Sequence, residues 1–387
     1  MKYLVMSCKT GGGHNAAAHA VEEELLSRGH EVDFLDPYDL VNDKRGDQVG
    51  GIYIKAVQKV PKAFGVVYQM GDFLSKVLPV KSPVYFAGAM VAYRMGVFLK
   101  DNNYDGIIMA HLYPAEMITM LKRHKRELAP TFYIATDYTC IPFTAETDCD
   151  YYCLPGEDAV DEFVSHGIPI EKVKPYGIPV KAQFSDKSEV NRPSHSKEPC
   201  LLPKYRHILV VGGSVGAGSL ELTQQILSGY IKAFNKKVDE GVLKSRKLHS
   251  IFICGNNKKL FKKLYNKKDI YTTVIQATDN MPEFIKSSDI VISKPGGLSS
   301  TEVAVAQVPL IHISPIPGCE TFNVRYFEAK GMSIYVENIR KDLASAITAL
   351  LKPENRRKMA ESQEASINAD ARSELCDFIE SVSGGSD

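Results

Sequence analysis

Two α/β domains, each built on a parallel sheet, are what this 387-residue sequence predicts. Short apolar runs alternate with helical patterns twice over, before residue 185 and again after residue 206. Strands run into glycine-rich turns that open helices at three places: Thr10-Gly-Gly-Gly-His14, Gly212-Gly-Ser-Val-Gly-Ala-Gly218 and Lys294-Pro-Gly-Gly297. A hydrophobic content of 44% at this length fills two cores, since the chain is longer than one core usually spans.

In the first half, strands fall over residues 3–7, 31–36, 104–110, 131–136 and 151–154, and residues 173–177 close the sheet. Residues 15–28 read as an Ala-rich helix with apolar periodicity. From 185 to 206 the composition turns to Ser, Pro, Lys and Glu, the signature of a linker. Strands then return over 208–211, 250–254, 273–275, 289–293, 309–313 and 333–335. Ligands of parallel sheets bind beyond the carboxyl ends of the strands, so the first glycine loop is expected to face the other two across a cleft. The expected organisation is an N-terminal domain over 1–190, a linker over 191–206 and a C-terminal domain over 207–354. A charged amphipathic helical stretch over 355–382, packing back on the first domain, and a short tail complete it.

The stretch over residues 42–100 breaks the alternation, with nine Lys or Arg against three Asp or Glu among aromatic and aliphatic residues. That mixture suits an anionic membrane surface; helices packed on the sheet with solvated lysines are the competing reading. The net charge of +1 gives no reason to expect nucleic acid as a partner. Eight scattered cysteines lack a zinc or disulfide framework, which favours cytosolic free thiols. Neither a signal peptide nor a spanning helix is read in the sequence. Asp148-Cys-Asp150 imitates the metal-binding Asp-x-Asp of a different transferase fold and is read as chance.

The richest segment runs from Ile290 to Glu302, where a buried strand enters Lys294-Pro-Gly-Gly297 and a helix is expected to open at Ser299. Glycine lets a backbone approach a ligand, and the N–H groups of a helix start favour an anion. With Glu302 placed one turn in to accept from a ribose diol, the segment reads as a nucleotide-diphosphate pocket. The other two glycine turns lack the Gly-Lys-Ser/Thr of a Walker loop, and each alone reads equally as an ordinary strand-to-helix turn.

These three loops, together with Pro315-Ile-Pro-Gly-Cys-Glu-Thr-Phe-Asn323, occur in an order and spacing that resembles the monogalactosyldiacylglycerol synthases and the bacterial processive diacylglycerol glucosyltransferases. Those enzymes are relatives of the peptidoglycan N-acetylglucosaminyltransferase. Thr136-Asp137-Tyr138 also resembles the family's Thr-Asp element. The resemblance implies a GT-B fold, with two Rossmann-like domains facing a cleft, and a UDP-glucose or UDP-galactose donor. It implies a diacylglycerol-type lipid acceptor at the cytoplasmic face of an anionic membrane, no separate cofactor and no metal. Gly213, Ser214, Gly216, Gly296, Gly297, Ser299 and Thr301 would then face the diphosphate, with Lys294 either adding charge or simply solvated. Glu302 would hold the ribose, the backbone at Thr278 and Met281 the uracil, and Glu320 and Asn323 the sugar.

An inverting transfer of this kind needs a base. His14 at a helix start is the candidate, because the dipole keeps its imidazole neutral; Gly12 and Gly13 free the backbone that aims it. Asp137 either orients His14 or acts as base itself, and His111 either lines the acceptor pocket or is structural. Two departures from the family pattern leave substrate open. Cys319 stands where the family usually has Gln, on the sugar side, and Cys140-Ile-Pro-Phe-Thr144 replaces Cys-His-Pro-x-Trp on the acceptor side. A UDP-N-acetylglucosamine epimerase-like enzyme, a transferase for a polyprenyl-linked acceptor and a UDP-sugar-sensing binding protein are the alternatives.

Overall fold

The computed structural model describes residues 1–8, 12–40, 89–186, 198–212 and 219–385. They form two compact units. One comprises Met1–Lys181, Ile316–Phe322 and Asn368–Asp387, the other Ala182–Pro315 and Asn323–Ile367.

In the first unit the elements run β1 (Lys2–Met6), α1 (Gly12–Ser27), β2 (Glu31–Leu35), α2 (Ala89–Asp101), β3 (Gly106–Met109), α3 (Leu112–Arg123), β4 (Thr131–Ile134), β5 (Tyr151–Cys153), α4 (Val160–Ser165) and β6 (Val173–Lys174). The strands make one parallel sheet in the order β2-β1-β3-β4-β5-β6. Strand order reverses between β1 and β3, and a parallel sheet opens its ligand crevice at such a switch point. Tyr3, Leu4, Val5 and Met6 are all fully buried, as a strand covered on both faces requires.

The second unit continues with α5 (Ala182–Ser185), β7 (Tyr205–Val211), α6 (Leu220–Asp239), β8 (Lys247–Ile253), α7 (Lys258–Asn266), β9 (Thr272–Ile275), α8 (Met281–Lys286) and β10 (Ile290–Ser293). Then come α9 (Gly297–Val305), β11 (Leu310–Ile313), α10 (Cys319–Ala329, of which residues from Asn323 on belong to this unit), β12 (Ile334–Val336), α11 (Ile339–Leu350) and α12 (Pro353–Ser366). Its sheet is also parallel, ordered β12-β11-β10-β7-β8-β9, with the switch between β7 and β10. The loops that leave these two strands are the two glycine runs of this half.

Several boundaries differ from the sequence expectation, three of them instructively. β7 starts at Tyr205 rather than 208, because Arg206 and His207 are held in the ladder by Asp289. Its Oδ1 accepts from Arg206 Nε at 3.0 Å and its Oδ2 from the His207 N–H at 3.0 Å. Helix α1 begins at Gly12, so Gly12 and Gly13 are its first turn. The single helical stretch expected over 355–382 is two helices, α12 and α13 (Ala371–Ser383). Asn368 breaks it by donating to the Tyr176 carbonyl at 2.8 Å and accepting from the Asp370 N–H at 3.0 Å, competition with the helix that Asn makes readily. Helix α13 packs Leu375, Cys376 and Ile379 on the β1, β3 and β4 face, against Val21 and Leu25 of α1. Arg28 ties the two helices, donating to Glu24 at 2.9 Å, Asp377 at 2.6 Å and Glu380 at 2.9 Å.

Where α13 enters, Gly177 has φ +109°, and a Cβ built there would lie 2.9 Å from the Ala371 Cβ. Both the backbone and the packing therefore require glycine. Gly177→Ala is expected to lower stability by about 1–3 kcal/mol, read as a lower urea midpoint; an unchanged midpoint would show that α13 can shift freely.

Candidate functional site

His14 is the third residue of α1, just beyond the carboxyl end of β1. Its Nδ1–H donates to the Ala110 carbonyl at 2.9 Å and to Thr136 Oγ1 at 2.7 Å. A carbonyl only accepts, so Nδ1 carries the proton and Nε2 keeps its lone pair. Ala110 follows β3 and Thr136 follows β4, so the ring is held by the loop of β3 at the switch point and by the loop of the strand next to it. Burial lowers the His14 pKa, while the Asp137 carboxylate and the Ala110 bond oppose that effect. The imidazole is therefore neutral at pH 7, with an acceptor nitrogen.

His111 stands edge-on to it, with ring centroids 4.7 Å apart. Its Nδ1 accepts from the Tyr113 N–H at 3.2 Å and caps α3, which fixes its own proton on Nε2. Burial, and then the neighbouring His14, hold His111 well below the ordinary histidine range. His111 is thus joined to His14. Asp137 acts on the ring through its charge; the groups that orient Nδ1 are Ala110 and Thr136. The departing segment Cys140-Ile-Pro-Phe-Thr144 begins four residues beyond Thr136. Cys140, Pro142 and Phe143 line a cavity of about 390 Å³ with Ser165, His166 and Gly167.

In the second unit, the expected helix start moves from Ser299 to Gly297. The Ser300 N–H donates to the Gly296 carbonyl at 2.9 Å, the first bond of the helix. The N–H groups of Gly297, Leu298 and Ser299 precede it and point ahead of the helix, with its positive dipole end. Glu302, half-buried, lies more than one turn in. Gly296 has an ordinary φ of −68°, and a Cβ built there would meet nothing nearer than Ser299 Oγ at 3.9 Å. Neither backbone strain nor packing explains a glycine there. The position is open to a close approach to the backbone from outside the protein.

Several expected contacts turn inward. Thr301 is buried and its hydroxyl donates to the Gly297 carbonyl at 2.8 Å, so that side chain serves the helix rather than a ligand. Asn323 is fully buried and its Nδ2 donates to the Pro295 carbonyl at 3.0 Å; it braces the loop instead of facing a sugar. Glu320 is half-buried and accepts from the Ile316 N–H at 2.6 Å at the start of α10. Thr278 Oγ1 accepts from the Asn280 N–H at 3.0 Å, shaping the turn into α8, whose first residue is Met281. Lys294 is half-buried beside the glycine loop. Gly213, Ser214 and Gly216 lie outside the described residues, as do Thr10 and Gly11 before His14 and most of the stretch over 42–100. Asp148 and Asp150 are occupied by Lys172 at 3.0 Å and Lys122 at 2.7 Å.

One residue that sequence reading passed over is His312 on β11. It is fully buried, with Nε2 2.9 Å from Ser300 Oγ and Nδ1 3.1 Å from Ser333 Oγ. Burial pushes its pKa down to about 3, so it is a neutral strut beneath the first turn of α9. A histidine inside an apolar strand, spaced to meet a serine of the preceding helix, was the available signal.

A family model described as monogalactosyldiacylglycerol (MGDG) synthase matches residues 14–180, and the glycosyltransferase family 28 C-terminal domain matches residues 207–375. The two matches together make the chain a glycosyltransferase of the GT-B fold. The processive diacylglycerol beta-glucosyltransferase of Bacillus subtilis is 24% identical to this glycosyltransferase over 358 residues, covering 92% of this chain and 88% of that one. The enzyme of the same name from Staphylococcus saprophyticus is 29% identical over 275 residues, 70% of this chain and 66% of that one, just under two thirds of its length. Among solved structures, Acinetobacter baumannii MurG superposes with a TM-score of 0.60 at 15% identity, covering 98% of this chain and 99% of the other. A Staphylococcus aureus MnaA–UDP structure gives 0.61 at 12% identity, covering 98% and 96%.

The hydrogen bonds of His14 set a spectroscopic expectation for the glycosyltransferase. Nitrogen-15 NMR at neutral pH should show His14 as the Nδ1–H tautomer, titrating with a midpoint below the ordinary ~6.5. A midpoint above that value would mean that Asp137, not burial, governs the ring.

Proposed function

We propose that the protein is an inverting transferase that moves a hexose, glucose or galactose, from UDP to the hydroxyl of a diacylglycerol-type lipid. The observation that supports this most is the committed Nδ1–H of His14, which leaves a neutral Nε2 as proton acceptor. As the lipid oxygen bonds to C1 of the hexose, His14 Nε2 takes its proton. The C1–O bond to the diphosphate breaks on the opposite face, and its electron pair leaves with UDP. The N–H groups that open α9 and lack a partner within the helix meet the charge that develops on the diphosphate. Lys294 adds to that field, Ser299 and Gly297 contribute donors, and Glu302 accepts from the ribose. The turn at Thr278 and Met281 takes the uracil, and Glu320 a sugar hydroxyl. The scheme uses neither a separate cofactor nor a metal.

The names of the relatives support a lipid acceptor. So does α2, the described part of the basic and apolar stretch. Tyr93 and Val97, one turn apart, are 67% and 42% exposed, beside exposed Arg94 and Lys100. Apolar and cationic side chains on one outward face suit the surface of an anionic membrane, which we place on the cytoplasmic side. Among the described residues no helix is long and apolar enough to cross a membrane.

Radiolabelled UDP-glucose and UDP-galactose, each incubated with mixed lipids, should put label into the diacylglycerol-derived fraction. Label in no lipid, with UDP still bound, would overturn the reading. In the same assay His14→Ala should lower the rate about 10²–10⁴-fold while leaving UDP affinity unchanged. A small loss would transfer the base role to Asp137.

Gly296→Ala offers the complementary test. The fold has space for the methyl group, so stability should hold, whereas intrusion on a bound diphosphate should weaken UDP binding by about 1–3 kcal/mol in calorimetry. Unchanged affinity would remove this loop from the donor site.

A further inference from the structure

We propose that α7 (Lys258–Asn266) and the turn after it form a docking surface for an anionic lipid bilayer on the second unit. The inference rests on the reading that the acceptor is a membrane lipid. Helix α7 buries Leu260 and Leu264 and turns Lys258, Lys259, Lys262 and Lys263 outward; Lys267 and Lys268 prolong the exposed cationic run.

The arrangement works against the helix that carries it. Lys258 with Lys262, and Lys259 with Lys263, are like-charged neighbours four apart, a spacing that disfavours a helix. Lys258 and Lys259 also occupy the first turn, where the dipole opposes cations, and no acidic residue offsets them there. Of the nearby carboxylates, Glu221 on α6 pairs with Lys263 at 2.9 Å and Lys267 at 3.4 Å. Asp269 is taken by Lys232 at 3.1 Å and Ser228 at 2.6 Å, and accepts from the Tyr271 N–H at 3.0 Å. None is left for Lys258, Lys259 or Lys262 among the described residues. Folding gains nothing from these three charges; an external polyanion would. Overall charge does not account for them either, since 47 basic residues meet 46 acidic ones across the chain.

The apolar companions identify the polyanion. Ile270, just past the helix, is 83% exposed, the most exposed large hydrophobic side chain among the described residues, and Tyr265 is 47% exposed. Lys268 Nζ sits 3.8 Å from the centre of the Tyr265 ring. An isolated isoleucine and an amphipathic tyrosine beside cations match the headgroup boundary of a bilayer, which offers both anions and hydrocarbon. A nucleic acid backbone offers no place for Ile270.

The test uses the full chain with phosphatidylcholine vesicles, with and without phosphatidylglycerol. The triple variant K258Q/K259Q/K262Q should lower partition onto the anionic vesicles by about ten-fold or more at moderate salt, while K258R/K259R/K262R binds like the original. Equal binding of the Gln variant, or equal losses in both variants, would overturn the proposal. Binding of a single-stranded oligonucleotide as tight as that to the anionic vesicles would overturn the lipid assignment. Transfer to short-chain diacylglycerol dispersed in detergent should be the same in the Gln variant. If the original chain transfers to no diacylglycerol, the acceptor reading fails, and the vesicle result separates that failure from failure of the docking surface.

Discussion

A single hydrogen bond, from His14 Nδ1–H to the Ala110 carbonyl, decides what the first unit can do. It assigns the proton to one ring nitrogen and leaves the other basic, and it does so with a backbone group that side-chain mutation cannot remove. The bond exists because β1 and β3 are adjacent at the sheet's switch point, so the loops leaving them meet. Thr136, arriving from β4, adds the second acceptor. Chemistry here is a by-product of strand order: the sheet must be parallel, and its order must reverse at that place, for a helix start and a strand end to share a proton.

The second unit solves a different problem with the same architecture. A diphosphate needs donors that require no rearrangement and space to approach them. In the proposed reading the first turn of α9 would supply the donors, and Gly296 the space, without any backbone need of its own. What keeps that turn in place is buried and polar: His312 between Ser300 and Ser333, and Asn323 on the Pro295 carbonyl. Each of these groups is satisfied, as buried polar groups must be, and each fixes a loop that apolar packing alone would leave underdetermined.

The fold class was legible in the sequence because doubly covered strands are short uninterrupted apolar runs, and Tyr3 to Met6 or Ile290 to Ile292 announce themselves. Strand ends carrying polar residues were not. Arg206 read as linker because its partner, Asp289, is 83 residues away in sequence. His14 was legible as a candidate, and its orienting groups were not, since a carbonyl has no letter in a sequence. For the same reason Thr301 and Asn323 looked like ligand contacts. Their residue types suit such a role, and only the direction of the side chain shows that they serve the loop. The break at Asn368 hid inside an otherwise continuous amphipathic pattern, because its partner, the Tyr176 carbonyl, lies 192 residues upstream.

The return of residues 368–387 to the first unit bears on how the chain can be divided. A fragment cut at the polar stretch before β7 would keep every strand of the first sheet. It would nevertheless lack Leu375, Cys376 and Ile379, leaving Val21, Leu25 and Phe132 to face water, and Arg28 would lose Asp377 and Glu380. The most obvious place to divide the chain is thus a poor one, because residues beyond the second sheet complete the unit that holds the first.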